Sequence, residues 1–206
     1  MSVLIPHYGK DIPIEICKLT SSTYAKYVED SVFDCSAIAQ NSYIHEHAQD
    51  DALTTLLFVD VSRNELIAYC SFRCSGIMTL SDGDRGADVL IADEYTILSA
   101  MEIMSFALDK RYQRMPYDEE EKRNLSDMIL NYILYYLNDV AHNHIGAKYI
   151  ILYAVPRSKS FYERCGFVAF DADMRRDQAQ YLVGCSAMYY PVVKSASSME
   201  YNDMQR

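Results

Sequence analysis

The segment 94–155 constrains the fold most. "EYTILSAMEIMSFALD" (94–109) alternates around Ile97, Met101 and Ile103 and reads as a long strand. "LSDMILNYILYYLNDVAHNH" (125–144) places Leu125, Met128, Ile129, Tyr132, Ile133, Tyr136, Leu137 and Val140 at three-four spacing, which makes one buried helical stripe. Asn124 or Ser126 suits its start and Gly146 its end. "AKYIILYAV" (147–155) is a short apolar run of the kind buried on both faces of a sheet. A helix between two such strands predicts a parallel, right-handed crossover.

The flanking segments extend the sheet. "IPIEICKL" (12–19) is a plausible first strand, and 21–50, free of Gly and Pro and cappable by Ser21 or Ser22, reads as one helix or two. "LTTLLFVDV" (53–61) and "ELIAYCSFRCSGIMTL" (65–80) form a hairpin about the turn "SRN"; "SDGDRGAD" (81–88) is a loop, and 110–124 is polar. Pro156 suits the first turn of a helix running to about Cys165, ended by Gly166 and followed by strands at 167–170 and 185–193. The expected fold class is mixed α/β: a mostly antiparallel sheet of about seven strands, with helices on both faces. No linker divides the 206 residues, so a single domain is expected, with its core at about 12–193 and a polar, frayed tail at 194–206.

Composition narrows the function. A net charge of −10 argues against a nucleic-acid surface, which runs on clustered Lys and Arg, so nucleic acid is an unlikely partner on this reading. No run of about 18 apolar residues exists, so no membrane is expected, and the N-terminus lacks the pattern of a signal peptide. The six scattered cysteines form no CxxC pair, and Cys70 and Cys74, on one strand, lie roughly 13 Å apart. They read as reduced, small hydrophobes, which together with the missing signal gives a cytoplasmic expectation.

"SKSFYERCGFVAF" (158–170) carries a Tyr on a short helix, then Gly-Phe leading straight into a strand. With "FALDKRYQ" (106–113) and "GAKYIILYAV" (146–155), this order resembles the GNAT superfamily of N-acetyltransferases over roughly 12–193. "SFYERCGF" is similar to the family's aromatic-Tyr-x-x-x-Gly-Phe signature. The resemblance implies acetyl transfer from acetyl-CoA to a primary amine of a small molecule or peptide, with no metal. In that reaction a neutral amine attacks the thioester and a thiolate leaves. A Tyr hydroxyl, ordinarily with pKa about 10, is able to protonate it. The resemblance gives that role to Tyr162, whose alternative is a half-buried core tyrosine.

The resemblance also lays the pantetheine arm along main-chain groups of Phe106, Ala107 and Leu108 and of Tyr153 and Ala154. Phe161 and Arg164 join the cofactor-binding set. Glu102, a charge inside an apolar strand, matches the position of a base in several family members. Burial would raise its pKa and make it a better base. Its alternatives are a solvent-facing or a salt-bridged Glu.

The pyrophosphate loop departs from the family pattern. Its two glycines are missing after Gln113, Pro116 has no N–H, and "DEEEKRN" precedes the helix. Either Gln113, Arg114 and Met115, with Leu125 and Ser126 at the helix start, still offer N–H groups, and Arg111, Arg114, Lys122 or Arg123 the charge. Or the site is degraded, and the chain is a catalytically silent binding or regulatory relative. A toxin-type acetyltransferase acting on aminoacyl-tRNA is a further alternative, opposed by the net charge. The family often pairs through its last strands, so "SAMYYPVV" is a candidate homodimer edge.

His45 and His47, two apart, do not share a helix face and predict no metal site. His142 and His144 suit a helix C-terminus as structural residues. The acidic "DGDRGAD" lacks calcium-loop spacing.

Overall fold

The computed structural model describes residues 2–5, 12–47, 50–80, 95–118, 123–175 and 179–193. In chain order these form β1 (Ser2–Ile5), β2 (Ile12–Lys18), α1 (Ser21–Tyr27), α2 (Ile38–Glu46), β3 (Thr54–Asp60), β4 (Glu65–Leu80), β5 (Tyr95–Leu108), β6 (Pro116–Asp118), β7 (Arg123–Asn124), α3 (Leu125–Val140), β8 (Tyr149–Ala154), α4 (Lys159–Arg164), β9 (Val168–Ala169), β10 (Met174–Arg175) and β11 (Ser186–Pro191). The expected loop at 81–88, Lys122 and the tail from 194 lie outside the described residues. The chain divides into two compact units, Met1–Arg73 with Glu102–Ile133 and Cys74–Met101 with Leu134–Arg206.

In the first unit the strand order is β1-β2-β3-β4-β5. β1 pairs antiparallel with β2, β2 with β3, and β3 with β4, the last with a register shift at Phe58/Val59. Asn64 adopts the left-handed conformation in the β3–β4 turn (φ 54°), which Asn tolerates better than most residues. β3 is covered on both faces, buried without a break from Thr55 to Asp60, and its successive side chains turn to opposite sides of the sheet. Leu57 and Val59 join a core with Tyr27, Val28, Ile44, Leu66, Tyr69 and Ala107. The Phe58 ring, next in sequence, meets Tyr132 of α3 edge-on at 6.0 Å. Helices therefore cover both faces here, as expected.

α1 opens on a reciprocal cap: Thr23 N–H donates to the Thr20 hydroxyl at 3.3 Å, and Thr20 N–H to the Thr23 hydroxyl at 2.7 Å. The 21–50 segment is two helices, separated by an extended stretch with Ser36 in the left-handed region (φ 64°). The polar stretch 110–124 contains a small two-stranded ribbon, β6 with β7.

In the second unit the order runs from the far half of β4 through the first half of β5 to β8, β11 and β9, and β10 pairs with β4. β5 and β8 are neighbours with α3 between them in the chain, the crossover order expected from the sequence. Lys148 N–H donates to Ser99 O at 2.8 Å just ahead of β8. Ile77, Ala100 and Ile151 form a core with Tyr149, Phe170, Met174 and Tyr189 around it. The last turn before Gly146 widens into a π-helix over Ala141–Ile145, and Gly146 then ends it in the left-handed region (φ 69°). His142 and His144 lie exposed in that turn. All seven expected strands are present; β1 and β10 are additional strands of the sheet.

Candidate active site

Tyr162 sits on α4, in the second unit. Its ring meets Phe161 edge-on at 5.2 Å and Phe167 at 5.7 Å, and the residue is buried. Its carbonyl accepts from both Cys165 N–H and Phe167 N–H at 3.0 Å, which closes the helix and turns the chain sharply. Gly166 makes that turn with φ 91°, and a Cβ there would lie 3.1 Å from the Tyr190 ring. The Gly-Phe of the signature thus has a local reason. Gly166 permits the backbone conformation, and Phe167 packs against the Tyr162 ring. Gly166→Ala is expected to destabilise the fold by about 1–3 kcal/mol; a melting curve of the variant checks this. Arg164 stacks its guanidinium 5.8 Å from the Phe161 ring and donates to Ser160 O at 3.3 Å.

Tyr153 and Ala154, at the end of β8, are in register with Ala187 and Ser186 of β11. Ala154 is buried, while Tyr153 is half-buried with its ring 6.4 Å from Phe170.

Glu102 belongs to the first unit. It is buried at 4% exposure, and its Oε2 accepts from Arg73 Nε at 3.1 Å and Nη2 at 3.0 Å. Of the three sequence readings for Glu102, a solvent-facing position is thereby excluded, and a salt-bridged one is observed. Among the described residues Oε1 accepts no hydrogen bond. Arg73 went unnoticed in the sequence, because its approach depends on the pairing of β4 with β5.

Phe106, Ala107 and Leu108 close β5, where Ala107 and Leu108 are buried and Phe106 is half-buried. The Leu108 carbonyl accepts from the Gln113 side-chain amide at 2.9 Å, which also donates to Cys35 O at 3.1 Å. The Gln113 amide therefore braces the loop, although the residue itself is exposed.

The loop that follows is organised around Asp109, 1% exposed. Its carboxylate accepts from Arg111 N–H at 2.9 Å, Nε at 2.9 Å and Nη2 at 3.1 Å, and from Asp34 N–H at 3.1 Å. Arg111 also pairs with Glu65 at 3.0 Å, and Lys110 with Asp34 at 2.6 Å. The Asp34 carboxyl is held well below the usual carboxylate range, first by Lys110, then by Asn41 and Ser36 N–H. Arg111, expected to supply charge for a phosphate, is thus already bound to carboxylates, whereas Arg114 is exposed.

The expected N–H donors sort in the same way. Met115 N–H goes to Tyr112 O at 3.2 Å, Leu125 N–H to Met115 O at 2.9 Å, and Asn124 N–H to the Asp127 carboxylate at 2.9 Å. These bonds fix the loop to the start of α3 and remove Met115 and Leu125 from the donor set. Gln113, Arg114 and Ser126 are what remains of it. The six cysteines are free thiols, and no group of metal-ligating side chains occurs among the described residues. His45 Nδ1 bonds the Tyr24 hydroxyl at 3.0 Å, and His47 lies 3.8 Å from Asp50.

Solved structures share this architecture. A tyrosine-to-phenylalanine mutant of the AtaT toxin is similar over 87% of this chain and 89% of its own, with TM-score 0.64 and 13% identity. The fold is GNAT-like. A second such neighbour, an AtaT mutant bound to the C-terminus of the antitoxin AtaR and acetyl-CoA, aligns over 87% of this chain and 93% of its own with TM-score 0.57 and 14% identity. A third, AtaT complexed with acetyl-methionyl-tRNAfMet, aligns over 86% and 94% with TM-score 0.59 and 14% identity. No family model matches the chain. No curated protein matches it either. That third neighbour is itself a tRNA complex, which is partly at odds with the expectation that nucleic acid is an unlikely partner. Net charge reports the whole surface, while phosphate contacts need only a local basic patch. No helix among the described residues is long and apolar enough to cross a membrane.

Proposed function

We propose that this chain is an acetyl-CoA-dependent N-acetyltransferase whose acceptor is the α-amine of an aminoacyl-tRNA. The Tyr162 turn carries the proposal: its ring is locked between Phe161 and Phe167, and Gly166 makes the exit that the signature requires. The solved neighbours with acetyl-CoA and with acetyl-methionyl-tRNAfMet support the donor and favour this acceptor over a small-molecule or peptide amine. In this reading Tyr162 protonates the departing thiolate and Glu102 Oε1 receives the amine proton. The pantetheine-binding residues in this reading are Phe106–Leu108 of the first unit and Tyr153–Ala154, Phe161 and Arg164 of the second. N–H groups of Gln113, Arg114 and Ser126, with the Arg114 charge, meet the pyrophosphate.

One observation favours the silent alternative. Arg111, Lys110 and the Gln113 amide are held by the loop's own partners, so fewer groups than expected remain for phosphate. Acetyl-CoA separates the two readings. At about a hundred times its Kd, a ligand of the native state adds about 2.7 kcal/mol and raises Tm by roughly 5–10 °C. An unchanged Tm at saturating acetyl-CoA rejects the enzyme. Transfer is then scored by incubating the protein with acetyl-CoA and methionyl-tRNA and following N-acetyl-methionine.

A further inference from the structure

The loop after β5, in the first unit, lacks the two glycines of the GNAT pattern, and its structure shows what shapes it instead. Two turns follow one another: Tyr112 N–H donates to Asp109 O at 2.9 Å, and Met115 N–H to Tyr112 O at 3.2 Å. From Asp109 to Pro116 no residue has a positive φ, so this path asks for no glycine. The Asp109 carboxylate sets the path. Its Oδ1 accepts from Arg111 N–H two residues on, a local turn that Asp favours. The same carboxylate grips the Arg111 guanidinium through one oxygen each, Nε to Oδ1 at 2.9 Å and Nη2 to Oδ2 at 3.1 Å, and Oδ2 also takes Asp34 N–H at 3.1 Å.

The same knot decides the charge. Arg111 Nη1 holds Glu65 at 3.0 Å, so one guanidinium serves two carboxylates. The three groups together carry a net negative charge, which repels a phosphate rather than drawing it. Arg114, exposed and paired with no carboxylate among the described residues, is the cation left over. The base of the loop is tied to the stretch before α2 as well: Lys110 N–H donates to Asp34 O at 2.8 Å, and the Gln113 amide to Cys35 O at 3.1 Å.

We infer that Asp109 is the positioning residue of the acetyl-CoA loop, with Arg111 as its clasp. The pair does the shaping that glycines do in the GNAT pattern, and fixes the Gln113 and Arg114 backbone before the pyrophosphate arrives. A loop ordered in advance loses less freedom on binding. Neither side chain touches the cofactor; both act through the backbone they hold. The assignment rests on the acetyltransferase reading above. On it, the cation withheld from phosphate belongs to a working site rather than a degraded one.

The test measures acetyl-CoA Kd by calorimetry on the full chain, kcat for methionyl-tRNA at saturating acetyl-CoA, and a melting curve for each variant. Asp109→Asn keeps the size of the side chain and removes its charge. It is expected to raise Kd by about tenfold or more, since order lost from the free loop must be restored on binding, while kcat at saturation stays near wild type. Arg111→Lys keeps the charge and loses the two-pronged grip, and is expected to weaken binding in the same way. The double variant should bind no more weakly than the worse single one, because the pair acts as a unit. A direct contact of Arg111 with phosphate predicts opposite signs: Asp109→Asn would release the guanidinium and tighten binding. Tighter binding in Asp109→Asn, additive losses in the double variant, or a lowered Tm at unaltered Kd overturns the inference. If Asp109→Asn does not fold, Arg111→Lys decides alone, and a wild-type Kd there overturns it. Wild type that binds acetyl-CoA while both variants match it refutes only this assignment. Wild type that shows neither heat nor a Tm shift with acetyl-CoA refutes the function itself and this assignment with it.

Discussion

Tyr162→Phe is expected to lower turnover by about 10²–10⁴-fold, the usual worth of general acid catalysis, with acetyl-CoA affinity nearly unchanged. The substitution keeps the ring, and so keeps its edge contacts with Phe161 and Phe167. Only the hydroxyl is lost. The thiolate it would protonate exists in the transition state and not in the ground state, so the loss belongs in kcat. A core tyrosine at this position would behave differently. The same change would then remove about 1 kcal/mol of stability through a lost hydrogen bond and leave the rate alone. Steady-state kinetics with a melting curve on one variant distinguishes the two. A wild-type rate would hand the proton to water or another tyrosine.

What the sequence disclosed was periodic or local. The α3 stripe, the apolar run of β8 and the long β4 are all written in consecutive residues, and β4 spans Glu65–Leu80 as expected. The Tyr162 turn was legible for the same reason: capping, the left-handed Gly166 and the Phe167 contact fall within six residues. Short pieces escaped. β1 and β10, of four and two residues, carry too little alternation to be told from loop, and β6 and β7 lie in a stretch whose polarity hides them.

The larger omissions were pairings across the fold. Arg73 reaches Glu102 from 29 residues away, and Gln113 reaches Cys35 from 78. Those contacts depend on strand order and register, which single-chain periodicity does not carry. The loop shows the consequence. Arg111 was read as free for phosphate because Asp109, buried just past the end of β5, could not be foreseen as its partner.

Glu102→Gln is expected to slow acetyl transfer most at pH 6–7 and less as pH rises, with acetyl-CoA Kd unchanged. An α-amine has an ordinary pKa of about 7.7–8.0. Below that range most of the acceptor is ammonium, which has no lone pair, and a base at Glu102 matters most. Above it the free amine is abundant without help, so the ratio of wild-type to variant rate falls toward a plateau. The magnitude at the lower end is the general-base range of about 10²–10⁴-fold. Gln keeps the length and an acceptor oxygen toward Arg73, which is partly solvated at 36% side-chain exposure, so the stability loss should be small. A variant whose pH–rate profile is parallel to wild type at every pH would make the Arg73–Glu102 pair a strand-to-strand brace. The amine proton would then leave through water. A steep loss at low pH with an intact melting temperature assigns the carboxylate to the chemistry, since a brace would show the reverse.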